Sequence, residues 1–283
     1  MHWGNLEIYS VEMGRFWLDG GSIFGVVPKT LWNLKYPSDE KNRIELALRS
    51  LYIKAPGKNI LVDTGIGNNF SPKYREIYGV DFRSSNPGDS LAAFGLSPKD
   101  ITDIIITHLH FDHIGGALQN AYTSPEPVFP NATYYIQKEQ WDWAHSPSEK
   151  DHGSYIPDFF TLLKEKNEIQ FVHGEWELLP SLKLMVFGGH TPSMQLPIIS
   201  VDGKTLFFGG DLNPLVSQVA VPYIMSFDVN PLKTVEEKKI ILSAAESNQW
   251  LHFFQHDVKI EAAYIIKGQK HYQIGETVRI NEM

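Results

Sequence analysis

His108-Leu109-His110-Phe111-Asp112-His113 places four metal-capable side chains in six positions, directly after the apolar run Ile104-Ile105-Ile106 and just before Gly115-Gly116. Burying such groups without partners is costly, so the stretch reads as a metal-binding loop at a strand end. If the backbone leaves the strand still extended, His108 and His110 share a face, because side chains two apart point the same way. Asp112 and His113 then need a turn, which sends neighbouring side chains in different directions. One segment can in this way feed two adjacent ions. A surface loop that merely happens to be histidine-rich is the bland alternative.

Three further residues share the context. His190 follows the β-rich run 182–187 and Gly188-Gly189, Asp211 follows 205–208 and Gly209-Gly210, and His256 follows 250–254. Paired glycines allow close backbone approach, and strand ends along one sheet edge are where such sites are built. If all seven residues converge, the span from His108 to His256 is one folding unit, and a single domain over residues 1–283 is expected. The remaining histidines, His2, His145, His152, His173, His252 and His271, lack a ligand context and read as surface or structural residues.

These residues need strands to deliver them. Runs 6–9 and 22–27 read as short strands around a Gly20-Gly21 turn, with Phe16, Trp17, Phe24, Leu31 and Trp32 as an aromatic-rich core group. Runs 44–53 and 59–63 form a hairpin on Ala55-Pro56-Gly57-Lys58. Gly65-Ile66-Gly67 resembles a dinucleotide fingerprint only until Phe70 occupies the third glycine position. Residues 66–96 read as a loop-bearing insertion, and Ser97-Pro98-Lys99-Asp100 as a helix start giving a short helical turn before the 104–107 strand. Strands are expected at 104–107, 133–137, 169–172, 177–179, 182–187, 195–201 and 205–208, the last two turning on Asp202-Gly203. Helices are expected at 138–145 and 232–247, and final strands at 250–254, 262–266 and 273–280.

Composition narrows the chemistry. In 283 residues, 42% hydrophobic and 20% charged, there are 25 Lys and Arg against 33 Asp and Glu, a formal charge of −8. An acidic chain with no basic block is a poor partner for nucleic acid or an anionic membrane. Cysteine is absent, so any metal must be held by nitrogen and oxygen. Glu7, Glu12, Arg15 and Asp19 interrupt any signal-peptide core, and a cytoplasmic location is expected. No Gly-x-Ser-x-Gly elbow occurs, which sets a serine hydrolase aside.

The series His-x-His-x-Asp-His, Gly-His-Thr-Pro, Gly-Asp and a late strand ending in His resembles the metallo-β-lactamase-fold hydrolases. Within that superfamily it looks most like the quorum-quenching N-acyl-homoserine lactone lactonases and methyl parathion hydrolase, through Phe24-Gly25-Val26-Val27-Pro28 with Trp32 and through Phe254-Gln255-His256-Asp257. The resemblance implies an α/β (α+β) fold, a four-layer αβ/βα sandwich. It implies that His108, His110 and His190 hold one ion, that Asp112, His113 and His256 hold a second, and that Asp211 bridges them. Asp63 would support the ligand loop. The main subclass of true β-lactamases has a cysteine where this chain has Asp211, which argues against β-lactam hydrolysis.

Two divalent ions are therefore expected, zinc first, with iron, manganese or cobalt as alternatives. A metal-bridging hydroxide would open a lactone ester, because coordination lowers the pKa of water from 15.7 to about 7. Asp112 could pass a proton to the departing alkoxide. In the lactonases a tyrosine after the bridging Asp contacts the substrate carbonyl, and Tyr223 is the only tyrosine between Asp211 and the 250–254 run. The substrate is a small molecule, and a homodimer is compatible with the resemblance. A phosphotriesterase, a glyoxalase II-type thioesterase and, more remotely, an iron-dependent oxidoreductase are the rival activities.

Overall fold

A computed structural model describes residues 1–82, 87–165 and 169–282. The chain divides into two compact units, one of Met1–Arg15 with Leu48–Gly174 and the other of Phe16–Ala47 with Glu175–Glu282.

The strands in chain order are β1 (His2–Trp3), β2 (Leu6–Asp19), β3 (Arg43–Ala55), β4 (Lys58–Val62), β5 (Asp103–Ile105), β6 (Leu118–Gln119), β7 (Glu126–Pro127), β8 (Thr133–Gln137) and β9 (Ile169–Val172). They continue as β10 (Trp176–Leu179), β11 (Leu182–Phe187), β12 (Met194–Val201), β13 (Lys204–Phe208), β14 (Leu251–Phe253), β15 (Ala262–Lys267) and β16 (Tyr272–Val278). One seven-stranded sheet has the order β1-β2-β3-β4-β5-β8-β9, and a second runs β10 to β16 in sequence order. β6 and β7 form a separate ribbon.

In the first unit β4, β5, β8 and β9 are parallel. Ile60, Leu61, Val62, Ile104, Ile105, Tyr134 and Ile136 in these strands are fully buried, the continuous apolar pattern of strands covered on both faces. The register pairs Val62 with Ile105, so β4 and β5 end together. Asp63 and the histidine stretch therefore leave the sheet side by side.

The second unit achieves the same by another route. β13 and β14 are parallel, with Phe208 opposite Phe253. β11 is antiparallel to β12 and β12 to β13, so β11 also runs in the direction of β13. The ends that deliver His190, Asp211 and His256 consequently lie on one edge. The helix Pro231–Ser247 packs Leu242 and Ala245 against Ala263 and Ile265 of β15.

The hairpins form as expected. β3 and β4 turn on Pro56-Gly57, and β12 and β13 turn on Asp202-Gly203, whose φ values of 51° and 75° suit a two-residue hairpin. Two expectations fail. Residues 22–27 are not a strand: β2 continues to Asp19, whose carboxylate caps the helix Gly20–Phe24 by accepting from the Ser22 amide. Local chain capping outweighs the β-branched character of that run. The 66–96 stretch is more than loop, since helices occupy Pro72–Tyr78 and Pro87–Ala92, while residues 83–86 lie outside the described residues. The short helical turn expected at Ser97-Pro98 is present as a 3-10 turn, Pro98–Asp100, closed by the Asp100 carboxylate on the Ser97 amide. Among the described residues no helix is long and apolar enough to cross a membrane.

Candidate metal centre

Each unit presents its own set of ligand-type side chains, and in each the rings are fixed from behind. In the first unit the backbone after β5 stays extended to His110, then makes the single helical turn Phe111–Ile114 that carries Asp112 and His113. This is the extended-then-turned path that the spacing requires. Gly116 is needed here because a Cβ on it would strike the Thr64 carbonyl. That packing seats the turn on the β4 end, where the amide and hydroxyl of Thr64 both donate to the His113 carbonyl, at 2.8 and 3.0 Å.

Asp63 is the hub of this unit. Fully buried and in the left-handed region at φ 60°, it accepts from the Thr107 amide at 2.8 Å, the Thr107 hydroxyl at 2.9 Å and His113 Nδ1 at 2.8 Å. The Thr107 hydroxyl hydrogen is thus used on Asp63, so at 3.0 Å from His108 Nδ1 its oxygen accepts. Both rings are thereby assigned the Nδ1–H tautomer, and their Nε2 lone pairs are left to point away from the anchor. His113 Nε2 then faces Asp112 Oδ2 at 3.5 Å, and His108 Nε2 faces His110 Nδ1 at 3.0 Å.

The second unit repeats the scheme. His190 Nδ1 donates to Asp228 Oδ1 at 2.9 Å, and His256 Nδ1 donates to the Ala47 carbonyl at 2.7 Å. Their Nε2 atoms face the two oxygens of Asp211, at 3.2 Å from Oδ2 and 3.1 Å from Oδ1. All four residues, His190, His256, Asp211 and Asp228, are buried. Two lone-pair nitrogens against a carboxylate are acceptors facing acceptors, an arrangement that a cation between them resolves. That is the test of fit, and this donor set passes it for a divalent metal bound by nitrogen and oxygen.

A family model described as the metallo-beta-lactamase superfamily matches residues 48–250. The chain belongs to that superfamily, and its fold is of the metallo-β-lactamase type. Among its relatives, the N-acyl homoserine lactonase AiiA of Bacillus thuringiensis subsp. kurstaki is 24% identical over 268 residues, covering 90% of this chain and 94% of the relative. The structure of a probable metal-dependent hydrolase from Staphylococcus aureus is 28% identical with a TM-score of 0.87, covering 98% of this chain and all of that one. AidC, a dizinc quorum-quenching lactonase, has a TM-score of 0.80 at 23% identity, covering 97% and 95%, a likeness of fold alone.

The sequence did not single out the groups that hold these imidazoles from behind, apart from Asp63. Asp228 lies 38 residues beyond His190 in a proline-interrupted segment, and Ala47 contributes only a carbonyl. Glu237, on the helix Pro231–Ser247, accepts from the Gly188 and Gly189 amides at 2.8 and 3.0 Å. Burial pushes its carboxyl above the ordinary range, partly opposed by those two amides. Gly189 has no room for a Cβ against the Thr234 backbone, so the chain before His190 lies tight on this helix.

Tyr223 is half-buried, its amide donating to the Ala220 carbonyl at 2.9 Å. It lines a cleft of about 470 Å³ together with Trp32, Lys35, Val219 and His271. Beside Asp112, in the first unit, stands an aromatic ledge missed in the sequence. Tyr78 packs against Phe111 at 4.7 Å between ring centroids, and Phe70 packs against both. Burial, and then the Asp112 charge, raise the Tyr78 phenol above its ordinary pKa.

His252 has no part in ligation. It is fully buried between Phe207 and Phe254, at 5.3 and 4.9 Å between centroids. Burial first, and the Lys238 charge second, lower its pKa from 6.5 to about 3. The unfolded chain therefore takes up a proton below pH 6.5 that the folded chain refuses until about pH 3, so this contribution to stability is complete above 6.5 and is lost as pH falls through that window. His252→Leu should flatten the decline in stability of the metal-free protein between pH 6 and pH 4 by roughly 1.4 kcal/mol per pH unit. Denaturant unfolding at a series of pH values checks this, and parallel curves for the two proteins would reject it.

Proposed function

We propose that this chain is a metal-dependent hydrolase of ester bonds whose substrates are lactones, N-acyl-homoserine lactones first. His108, His110 and His190 are assigned to one ion, Asp112, His113 and His256 to the other, and Asp211 to both. With this assignment residues 1–283 are read as one domain. Zinc is the first choice of metal for such a set. The observation that carries the reading is the tautomer lock described above. Four separate partners, Asp63, Thr107, Asp228 and the Ala47 carbonyl, occupy Nδ1 on four imidazoles and leave Nε2 for a cation.

A bound pair of such ions supplies Lewis-acid polarisation and lowers the pKa of water from 15.7 to about 7. The chain's own groups do the rest. Asp112, buried except for a small exposed fraction on its turn, is assigned to carry a proton to the leaving alkoxide, and Tyr223 to donate to the substrate carbonyl. The ledge of Phe70, Tyr78 and Phe111, continued at the surface by Tyr74 and Ile77, offers apolar area next to Asp112 for an acyl chain. Polar rivals such as glutathione thioesters have no use for it. The relatives named as N-acyl homoserine lactonases support the same choice.

The test is a comparison of kcat/KM for acyl-homoserine lactones, aryl phosphotriesters and glutathione thioesters on one metal-loaded preparation. Lactones should rank first, and a phosphotriester or thioester ahead of them would reject the assignment. In the same assay Tyr223→Phe should lower lactone kcat/KM by about 100-fold. An unchanged constant would leave Tyr223 a structural residue of its cleft.

A further inference from the structure

Tyr36 is buried in the second unit, just past the helix Lys29–Trp32. Its amide donates to the Trp32 carbonyl at 3.0 Å and its ring packs on Phe24 at 5.3 Å between centroids, so the side chain is aimed before its hydroxyl makes any bond. That hydroxyl donates to Asp257 Oδ2 at 2.6 Å and accepts from the Ser217 amide at 3.4 Å. Asp257 is buried as well. Its Oδ2 also accepts from the Val216 amide at 3.2 Å, while Oδ1 accepts from the amides of Lys259 and Ile260, both at 3.0 Å.

These bonds join two segments that each leave the sheet with a ligand-type side chain. One carries Asp211 and runs on through Pro214, Val216 and Ser217; the other carries His256 and runs on through Asp257. They also meet where the His256 amide donates to the Pro214 carbonyl at 3.1 Å. Tyr36 comes from neither segment and bonds to both. Metal–ligand distances are held to within about 0.2 Å, so a loop shift too small to disturb the fold is enough to loosen an ion. We infer that Tyr36 is a positioning residue for the metal centre, a strut that keeps His256 and Asp211 facing each other by bonding to Asp257 and to the chain beyond Asp211. The inference rests on the assignment of His256 and Asp211 as ligands. Asp257 adjoins His256, whereas Asp211 lies further back along its own segment, so the ion assigned to His256 is the one that loosens when the strut is cut.

The experiment titrates the full-length zinc-loaded protein with graded chelator and follows the release of each equivalent of zinc. Tyr36→Phe keeps the ring on Phe24 and removes the hydroxyl. The first equivalent should leave about 10-fold more readily, the lower end of the range for residues behind a ligand, and the second should stay within about 2-fold of the unsubstituted protein. Tyr135→Phe is the matched control. It removes another buried phenol-to-carboxylate bond, to Asp103 Oδ1 at 2.9 Å, at the end of β5 away from the histidine stretch. There both equivalents should stay within about 2-fold of the unsubstituted protein.

Release from folded Tyr36→Phe equal to that of the unsubstituted protein would overturn the inference. So would a loosening of both equivalents by one common factor, the mark of a fold weakened as a whole. Should Tyr36→Phe not fold, Asp257→Asn puts the same question: its oxygen serves the Lys259 and Ile260 amides, while its NH2 group meets the Val216 amide donor to donor. The first equivalent should again leave about 10-fold more readily, and unchanged release would reject the strut. His256→Ala in the same assay separates two failures. If it releases an equivalent that Tyr36→Phe keeps, only the role of Tyr36 falls; if it keeps both ions, the ligand assignment falls too.

Discussion

Asp211→Ala removes turnover by about 10³-fold or more and takes bound metal with it. Its two oxygens face the Nε2 atoms of His190 and His256, at 3.2 and 3.1 Å. Without the carboxylate, two imidazoles already committed through Nδ1 face a gap, and any cation there loses a full negative charge. Asp211→Asn makes the sharper experiment. The amide keeps the shape and offers an N–H to one Nε2, converting one acceptor-acceptor contact into a hydrogen bond. Its metal-free form should be as stable as the parent or more so, while its metal content falls. Metal analysis after dialysis and thermal unfolding with and without chelator read the two effects apart. Full activity with full metal in Asp211→Ala would contradict the bridging role.

The second large effect is expected at Asp63, and it should appear even without metal. Asp63→Ala strips the acceptor from the Thr107 amide, the Thr107 hydroxyl and His113 Nδ1 at once. Each buried donor left unsatisfied costs about 1–3 kcal/mol. The left-handed backbone at φ 60° adds about 1–2 kcal/mol for alanine. A loss of roughly 4 kcal/mol in the metal-free protein is therefore expected, together with 10- to 100-fold weaker metal retention through the unanchored His113. Denaturant titration of the metal-free variant measures the first quantity and competition with a chelator the second. A metal-free stability within about 0.5 kcal/mol of the parent would show that the network matters only when metal is bound.

Much of this architecture was readable because its signals are local. The ligand positions follow apolar runs of strand length, and the Pro56-Gly57 and Asp202-Gly203 turns carry their own conformational demand. What escaped was set by contacts distant in sequence. Residues 22–27 look like a strand until Asp19 caps the helix Gly20–Phe24 that takes up the start of that run. Asp228 carries no pattern of its own, being one acid in an irregular stretch. Lys238 did carry a signal. With Thr234, Ile241, Leu242 and Ala245 it falls on the single buried stripe of its helix, yet a lysine followed by another lysine reads naturally as a solvated face. A charged residue in phase with an apolar stripe was the clue, and the groups that accept from it are the Ala220 and Tyr223 carbonyls, earlier in the chain.

The four anchored imidazoles are not equal as electron donors. A carboxylate behind Nδ1 makes a ring more basic than a neutral oxygen does. By that measure His113, backed by Asp63, and His190, backed by Asp228, are the strong donors, while His108 on a hydroxyl and His256 on a carbonyl are the weak ones. The proposed assignment gives each ion one of each. The two positions are then matched in their anchored imidazoles and differ in the remaining ligand, a third neutral ring, His110, at one and the harder, anionic carboxylate of Asp112 at the other.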